Sequence, residues 1–163
     1  MLTLNRILNN ILPNFKQNQT DNNNDNQIDN IYENITYSNT SAFIPKIDIG
    51  KVVKVYDGDT ITVASKLPFI DSPIYRFSVR LSGIDTPELK TSNENEKKQA
   101  IIARDALSEL INGKIVHLQN VSTEKYGRLL ADIYIDDIHV NKWMIDQKYG
   151  VEYDGGTKQK WDM

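Results

Sequence analysis

The segment from Ile74 to Ser82 alternates residue by residue between apolar and polar side chains. In an extended chain successive side chains point to opposite faces, so this alternation predicts a strand with one buried face. One face carries Tyr75, Phe77, Val79 and Leu81, and the other carries Arg76, Ser78, Arg80 and Ser82. This strand is the third of five that the sequence predicts.

The segments Ile49 to Tyr56 and Thr60 to Ser65 are predicted to form a hairpin around the turn Asp57-Gly58-Asp59. An Asp-Gly pair between apolar, β-branched segments is a strong hairpin signal. Further strands are predicted at 115–121 and 129–135, and helices at 94–112 and 140–148. Five strands with a helix between the third and the fourth favour an α+β fold, in which a small closed barrel of the oligonucleotide-binding (OB) type carries two helices.

Residues 1–45 differ in composition from the rest of the chain, since they contain 12 Asn. The stretch DNNNDNQIDN is nearly all amide and acid, and it cannot bury enough apolar surface to offset the entropy lost on ordering. We therefore predict a largely disordered segment at 1–45 and one folded domain at 46–163. Apolar residues at helical spacing also predict a short amphipathic helix at 2–12, which leaves open weak docking of residues 1–15 to a membrane or a partner.

The bulk properties of the chain exclude several classes of protein. Its 163 residues are enough for one domain with a hydrophobic core, and its net charge is −3. The absence of cysteine excludes a disulfide framework and thiolate chemistry. No apolar run approaches the roughly 20 residues that span a bilayer, and no secretory signal is recognised. The compartment stays open, with an intracellular location favoured, and the protein is expected to be a monomer.

Charged residues gather at the ends of the predicted strands, where a barrel can bring them to one rim. Arg80 lies on the third strand, Asp85 and Glu88 follow where that strand ends, and Arg128 precedes the fifth strand. The hard oxygen ligands of Asp59 and Asp85 suit Ca²⁺, and a nearby Glu can orient or activate a water molecule. Two guanidinium groups can bind phosphate oxygens through forked hydrogen bonds. The set therefore matches the requirements of phosphodiester hydrolysis.

Each of these residues also has an ordinary structural interpretation. Asp57 and Asp59 can simply form the turn, and residues 85–88 can start a helical region with a capping side chain and an early proline. Arg80 can be a solvated strand residue, and residues 126–128 can form a hairpin loop with an exposed arginine. Taken one at a time, these interpretations are the more common ones. The combination favours a functional site.

Three motifs occur in a fixed order along the chain: YDGDT on the first hairpin, RLSGIDTPE after the third strand, and EKYGR before the fifth. Together they resemble the staphylococcal nuclease (thermonuclease) family, over about Gly50 to Tyr153. The resemblance implies one Ca²⁺ ion, with Asp59, Asp85 and the backbone carbonyl of Thr86 as its protein ligands. It also implies three catalytic residues, two that bind the scissile phosphate and one acid beside the attacking water: Arg80, Arg128 and Glu88.

The resemblance further implies that Lys125, Tyr126 and Tyr153 contact the substrate, and that Asp57 lies near the metal without binding it. The implied activity is a Ca²⁺-dependent endonuclease that hydrolyses DNA and RNA with little sequence specificity and leaves 3′-phosphate ends. The alternative is a nuclease-like domain that binds nucleic acid or protein without catalysis. Secreted members of the family carry a third helix, whereas only VEYDGGTKQKWDM follows Gly150 here, so the fold is expected to be truncated at the C-terminal helix.

Overall fold

The computed structural model describes residues 32–124, 126–158 and 161, and the chain divides into two units, Met1–Ala42 and Phe43–Met163. In the first unit, Tyr37–Asn39 form a 3₁₀ turn that the sequence does not predict, and residues 32–42 are exposed. The backbone N–H of Thr36 donates to Oδ1 of Asn39 at 2.8 Å, which caps this turn. The amphipathic helix predicted at 2–12 lies outside the described residues, as does most of the segment predicted to be disordered.

The second unit holds a set of strands and two helices within its described residues. The strands are β1 (Ile49–Asp57), β2 (Thr60–Lys66), β3 (Ile74–Leu81), β4 (Ile84–Asp85), β5 (Ile115–Thr123), β6 (Leu129–Ile135), β7 (Ile138–His139) and β8 (Val151–Glu152). The helices are α1 (Glu94–Ile111) and α2 (Val140–Asp146). The five long strands and both helices are confirmed to within two residues at each end. The strands β4, β7 and β8 have two residues each, which is too few to show a periodic pattern.

Five of these strands close into a barrel, which confirms the OB-type fold. Antiparallel pairs run in the order β3–β2–β1–β5–β6. Strand β6 then returns to β3 as a parallel pair, with Val79 opposite Leu129 and Leu81 opposite Ala131. Because the sheet closes on itself, the barrel strands are paired on both sides and the rim of the barrel is held in a defined shape.

The apolar core lies inside this barrel and beneath α1. The buried face of the helix consists of Ala100, Ala103, Leu107 and Ile111. Three of them, Ala103, Leu107 and Ile111, belong to one core cluster with fully buried strand residues, among them Val52, Ile61, Val63, Val79, Val116 and Ile133. The alternation predicted for β3 weakens at both ends, since Tyr75 is exposed and Arg80 is buried. The burial of Arg80 marks the place where the barrel rim carries polar groups.

After α2, residues 147–158 form β8 and loops, with no further helix among these described positions. The two residues of β8 pair with β4, with Val151 opposite Asp85. This pairing brings residues 151 and 152 alongside the segment that follows β3. Within the part of the chain that the structure describes, none of the helices combines the length and apolar composition needed to cross a membrane.

Candidate active site

The turn between β1 and β2 is packed against the protein and does not project into solvent. A Cβ atom at Gly58 would lie 2.9 Å from Cβ of Ala103 and 2.9 Å from Oγ1 of Thr86, so only glycine fits between them. The turn is therefore held between α1 and the segment after β3. Asp57 and Asp59 are 7% and 4% exposed, which rules out the interpretation that they are turn residues facing water.

The guanidinium of Arg80 lies between two buried aspartates. Its Nη1 forms an ion pair with Oδ2 of Asp59, and its Nη2 donates to Oδ1 of Asp85 at 3.0 Å. The same Nη2 donates to the backbone carbonyl of Ile84 at 3.1 Å. The planar fork of arginine is suited to bridging two carboxylates in this way. Arg80 thus fixes the position of both acids predicted to bind the metal.

A second arginine joins the same network through a hydroxyl group. Nη1 of Arg128 donates to Oγ1 of Thr60 at 3.3 Å, and that hydroxyl donates to Oδ1 of Asp59 at 2.8 Å. Nε of Arg128 pairs with Glu124, four residues earlier on the β5–β6 connection. Hydrogen bonds and ion pairs therefore connect both arginines and both aspartates in one group, although these residues lie up to 69 positions apart in the sequence.

Glu88 lies on the loop that joins β4 to α1, and the first turn of the helix holds that loop. The backbone N–H of Glu88 donates to Oε1 of Glu96 at 3.2 Å, and Thr91 donates from its hydroxyl to Oε2 of Glu96 at 2.6 Å. The helix itself begins where Asn93 accepts hydrogen bonds from the backbone N–H groups of residues 95 and 96. The side chain of Glu88 is half exposed and pairs with Lys158.

One atom of the site lacks a partner. Oδ2 of Asp85 is buried and accepts no hydrogen bond from the residues that the structure describes. A buried carboxylate oxygen without a partner is unfavourable, and a cation with hard oxygen ligands would satisfy it. In the described chain no three His, Cys, Asp or Glu side chains converge as a ready-made ion cluster. Two aspartates nevertheless fit Ca²⁺ when a backbone carbonyl and water molecules complete the ligand set. Thr86, which directly follows Asp85 and is 2% exposed, has a carbonyl group that could serve as this ligand.

Burial and charge alter the protonation of these groups. Burial raises the pKa of Asp57 to about 6, and the neighbouring Asp59 and Glu88 charges add to that effect. Burial also raises the pKa of Asp59 above its usual range, although Arg80 and Thr60 oppose the change. The hydrogen bond to Glu124 raises the pKa of Arg128. For Lys158, burial lowers the pKa, but hydrogen bonds to Glu88 and Asp85 outweigh it and the net pKa is raised.

The site faces a cavity of about 770 Å³. Most of the residues predicted from the sequence line it or lie directly behind it: Asp57, Asp59, Arg80, Glu88, Tyr126, Arg128 and Tyr153 line it, and Asp85 and Thr86 are buried beside Arg80 and Gly58. Tyr126 is 74% exposed, and the ring centroid of Tyr153 lies 5.9 Å from Cζ of Arg80. Lys125 lies outside the described residues.

Four positions of the site are not predicted from the sequence: Thr60, Glu96, Gly150 and Lys158. A Cβ at Gly150 would lie 2.8 Å from the carbonyl oxygen of Asp85, so this glycine lets β8 approach the acid segment closely. Thr60 is part of the YDGDT motif, which is the one signal that points to it. Gly150 and Lys158 depend on contacts between distant parts of the chain, and Glu96 on hydrogen bonds from residues five and eight positions earlier, none of which a periodic pattern reveals.

This arrangement combines what a phosphoester reaction needs in one place. Fixed guanidinium groups can bind an anionic phosphate, buried carboxylates can bind a cation, and a half-exposed carboxylate can orient a water molecule. Because Arg80 and Asp59 are buried, their electrostatic effect on a bound group is stronger than it would be in water.

Comparisons with known proteins agree with this geometry. A family model described as staphylococcal nuclease homologue matches residues 78–160. An uncharacterised protein of Bacillus anthracis is 35% identical over 105 residues, which cover 63% of this chain and 46% of that protein. A protein of Escherichia coli O157:H7 named as an uncharacterised endonuclease is 32% identical over 97 residues, or 59% of this chain and 55% of that protein. A staphylococcal-like nuclease of Arabidopsis thaliana is 31% identical over 91 residues, or 53% of this chain and 26% of that protein.

The chain spans about half the length of the two bacterial relatives. The match to the family model covers half of the chain, including the end of β3, all of α1 and β6, and the positions of Asp85, Glu88 and Arg128. The chain therefore belongs to the family of staphylococcal nuclease homologues.

Proposed function

We propose that this protein is a Ca²⁺-dependent endonuclease that hydrolyses phosphodiester bonds in DNA and RNA with little sequence specificity and leaves 3′-phosphate ends. The observation that carries the proposal is the buried bridge of Arg80 between Asp59 and Asp85, at a cavity that Glu88 and Arg128 also line. Family membership supports it, as do relatives whose names are endonuclease and staphylococcal-like nuclease.

Asp59, Asp85 and the backbone carbonyl of Thr86 would hold the ion. The chemistry that Ca²⁺ supplies when bound is neutralisation and polarisation of the anionic phosphate. The unpartnered Oδ2 of Asp85 is the group in this chain that most needs such a ligand. A change from Asp85 to Asn would keep the shape of the side chain and remove one of the negative charges that bind the ion.

Glu88 would orient the attacking water and accept a proton at its carboxylate. Attack of that water forms a new phosphorus–oxygen bond, and the bond from phosphorus to the 5′-oxygen breaks. The 5′-oxygen takes up a proton from solvent and leaves as a hydroxyl, and the phosphate stays on the 3′ side, which accounts for the proposed 3′-phosphate product. Arg80 and Arg128 would bind the phosphate oxygens on which negative charge develops.

Broad substrate use follows from the kinds of groups that face the cavity. Guanidinium groups bind phosphate, which is common to every nucleotide, and carry no information about the base. The exposed ring of Tyr126 and the ring of Tyr153 beside Arg80 could stack on bases of either sugar type. That Lys125 also contacts the substrate stays a prediction from the sequence.

The proposal is tested by cleavage of labelled single-stranded DNA and RNA with the full chain and with Arg80→Ala. Arg104→Ala is the matched control, because Arg104 is a partly exposed arginine of α1 that pairs with its neighbour Asp105. We expect Arg80→Ala to lower turnover by at least ~100-fold, on the scale of losing one charged donor to the transition state, with the control unchanged. Equal rates for Arg80→Ala and the parent would contradict the mechanism. Substrate binding without cleavage by the parent would support the alternative of a non-catalytic binding domain.

A further inference from the structure

The loop at residues 153–158 follows β8 and reaches the cavity. Its start is fixed, because the backbone N–H of Tyr153 donates to the carbonyl of Gly83 at 2.9 Å. The loop then folds on itself, since the hydroxyl of Tyr153 donates to the carbonyl of Gly156 at 2.9 Å and Gly156 N–H donates to Asp154 at 3.0 Å. This short folded loop places Lys158 at the site.

The ammonium group of Lys158 contacts both acids on which the proposed reaction depends. Its Nζ lies 3.0 Å from Oδ1 of Asp85 and pairs with Oε1 of Glu88. Asp85 would bind the metal, and Glu88 would orient the water. Asp85 is 1% exposed, so charges beside it are poorly screened. The ammonium group of Lys158 and a divalent cation bound to the same carboxylate would therefore repel each other strongly. Lys158 and Ca²⁺ are therefore competitors for Asp85.

We propose that Lys158 is a tethered internal cation that pairs with Asp85 and Glu88 in the metal-free protein and must leave Asp85 before Ca²⁺ binds. This inference rests on the proposed metal-dependent function. It assigns Lys158 three effects. The ammonium group offsets the repulsion among the clustered acids when no metal is present, and it lowers the apparent affinity for Ca²⁺. It also keeps Glu88 paired until the metal has bound.

The structure explains why Ca²⁺ can displace the ammonium group. The side chain of Lys158 is 45% exposed, so it can swing into solvent on its flexible stem without unfolding the domain. Lysine contacts one oxygen of Asp85 and leaves the buried Oδ2 unpartnered. A Ca²⁺ ion carries twice the charge and takes six to eight oxygen ligands, so it can use that oxygen as well.

The size of the effect follows from the fraction of protein in which Asp85 is free. The apparent dissociation constant equals the intrinsic one divided by the competent fraction. If Lys158 is paired in roughly nine molecules of ten, removal of its charge strengthens Ca²⁺ binding by about tenfold. A lysine that merely sits near the site would change the affinity only through weak, screened electrostatics.

The test is calorimetric titration of Ca²⁺ into the full chain and into Lys158→Gln, Lys158→Met, Lys158→Arg and Lys142→Gln. Lys142→Gln is the matched control for the loss of one charge, because Lys142 is exposed and pairs with Asp146 on α2. We expect both neutral variants at 158 to bind Ca²⁺ about tenfold more tightly, and the control and Lys158→Arg to stay within about threefold of the parent. Lys158→Met keeps the aliphatic stem, so the test remains decisive if one of the two neutral variants does not fold.

Thermal unfolding in chelator supplies a second readout. The neutral variants should melt at a lower temperature than Lys142→Gln without Ca²⁺, and the difference should disappear at saturating Ca²⁺. Measurable Ca²⁺ binding by the parent that is unchanged or weaker in the folded neutral variants would overturn the inference alone. Absence of Ca²⁺ binding by the parent and by every variant would contradict the proposed metal requirement, and this inference with it.

Discussion

The hydroxyl of Thr60 donates a hydrogen bond of 2.8 Å to Oδ1 of Asp59. The same oxygen of Thr60 accepts from Nη1 of Arg128 at 3.3 Å, so a single hydroxyl links the proposed metal ligand to the proposed phosphate ligand. Thr60 is the first residue of β2 and is 6% exposed, which keeps this link out of competition with water. The spacing of the proposed metal ligand and the proposed phosphate ligand thus depends on a residue to which neither role is assigned.

The first prediction concerns this link. Thr60→Val keeps the shape of the side chain and removes the hydroxyl, which leaves Asp59 with a free buried oxygen and Arg128 with one contact fewer. We expect Ca²⁺ binding to weaken and turnover to fall, each by about tenfold, a loss typical of one buried hydrogen bond. Thr60→Ser should restore both. Thr62→Val, two residues further along β2, is the control, and an equal loss in that variant would show that the effect comes from the strand and not from the hydroxyl.

The second prediction concerns the close approach of β8 to the acid segment. A methyl group at Gly150 would lie 2.8 Å from the carbonyl oxygen of Asp85 and 3.0 Å from Cγ2 of Thr86. Gly150→Ala must therefore push Asp85 and Thr86 away, at a cost of about 1–3 kcal/mol in the free energy of unfolding. Denaturant unfolding with the full chain measures the first effect, and Ca²⁺ titration should show weaker binding. Unchanged stability and affinity would mean that the segment moves freely, contrary to the geometry.

The third prediction concerns the pH dependence of stability. The pKa of Asp57 is about 6 in the folded protein and lower in the unfolded chain. Between about pH 4 and pH 6 the carboxyl group is therefore protonated in the folded protein and ionised in the unfolded chain. The parent therefore loses stability as the pH rises through this range. Asp57→Asn cannot ionise and still offers an oxygen to the N–H of Gly58, which donates to Asp57 at 3.0 Å.

In chelator, Asp57→Asn should accordingly be more stable than the parent by about 1–3 kcal/mol at neutral pH, and the gain should vanish by about pH 4. Denaturant unfolding at a series of pH values measures the difference. A gain that is the same at pH 4 and at pH 7 would show that it does not come from the carboxyl group. The comparison is made without Ca²⁺, since a bound ion would itself favour the ionised acid.

The fourth prediction concerns the loop that carries Glu88. Glu96 accepts from the backbone N–H of Glu88 and from the hydroxyl of Thr91, so it positions Glu88 without facing the substrate cavity. Glu96→Ala should lower kcat by about tenfold with little change in KM, because the loop loosens while the arginines proposed to bind phosphate stay in place. Glu94→Ala removes the same charge from the same helical turn and is the control. If Glu94→Ala lowered kcat as much as Glu96→Ala does, the effect would come from the loss of a charge in the first turn of the helix and not from the loop that carries Glu88.

The barrel is predictable from sequence because its strands and helices leave local patterns. The alternation in β3, the apolar stripe of α1 and the Asp-Gly turn each indicate one element, and their order indicates how the sheet closes. The acids and arginines of the site are predictable because they occur in motifs that resemble a known family. The roles of these residues in catalysis stay predictions.

Contacts between distant segments could not be predicted in this way. Position 58 requires glycine because α1 and Thr86 approach it closely, and not because of its backbone conformation. The described glycines with positive φ are others: Gly83, Gly113, Gly127 and Gly155. The pairing of Lys158 with Glu88 joins residues 70 positions apart along the chain. Neither relationship leaves a periodic or compositional signal. The 3₁₀ turn at Tyr37–Asn39 could not be predicted for another reason. Its capping is local, but its segment is dominated by Asn, Ser and Thr and shows no apolar periodicity that would indicate a helix.

The most direct test of the account is cleavage of end-labelled single-stranded DNA by the purified full chain, with Ca²⁺ and with a chelator, followed by analysis of the ends produced. We predict cleavage that requires Ca²⁺, that Asp85→Asn abolishes, and that leaves 3′-phosphate ends. No cleavage by the folded protein with Ca²⁺ or any other divalent ion, or cleavage that continues undiminished in chelator, would contradict the proposed function.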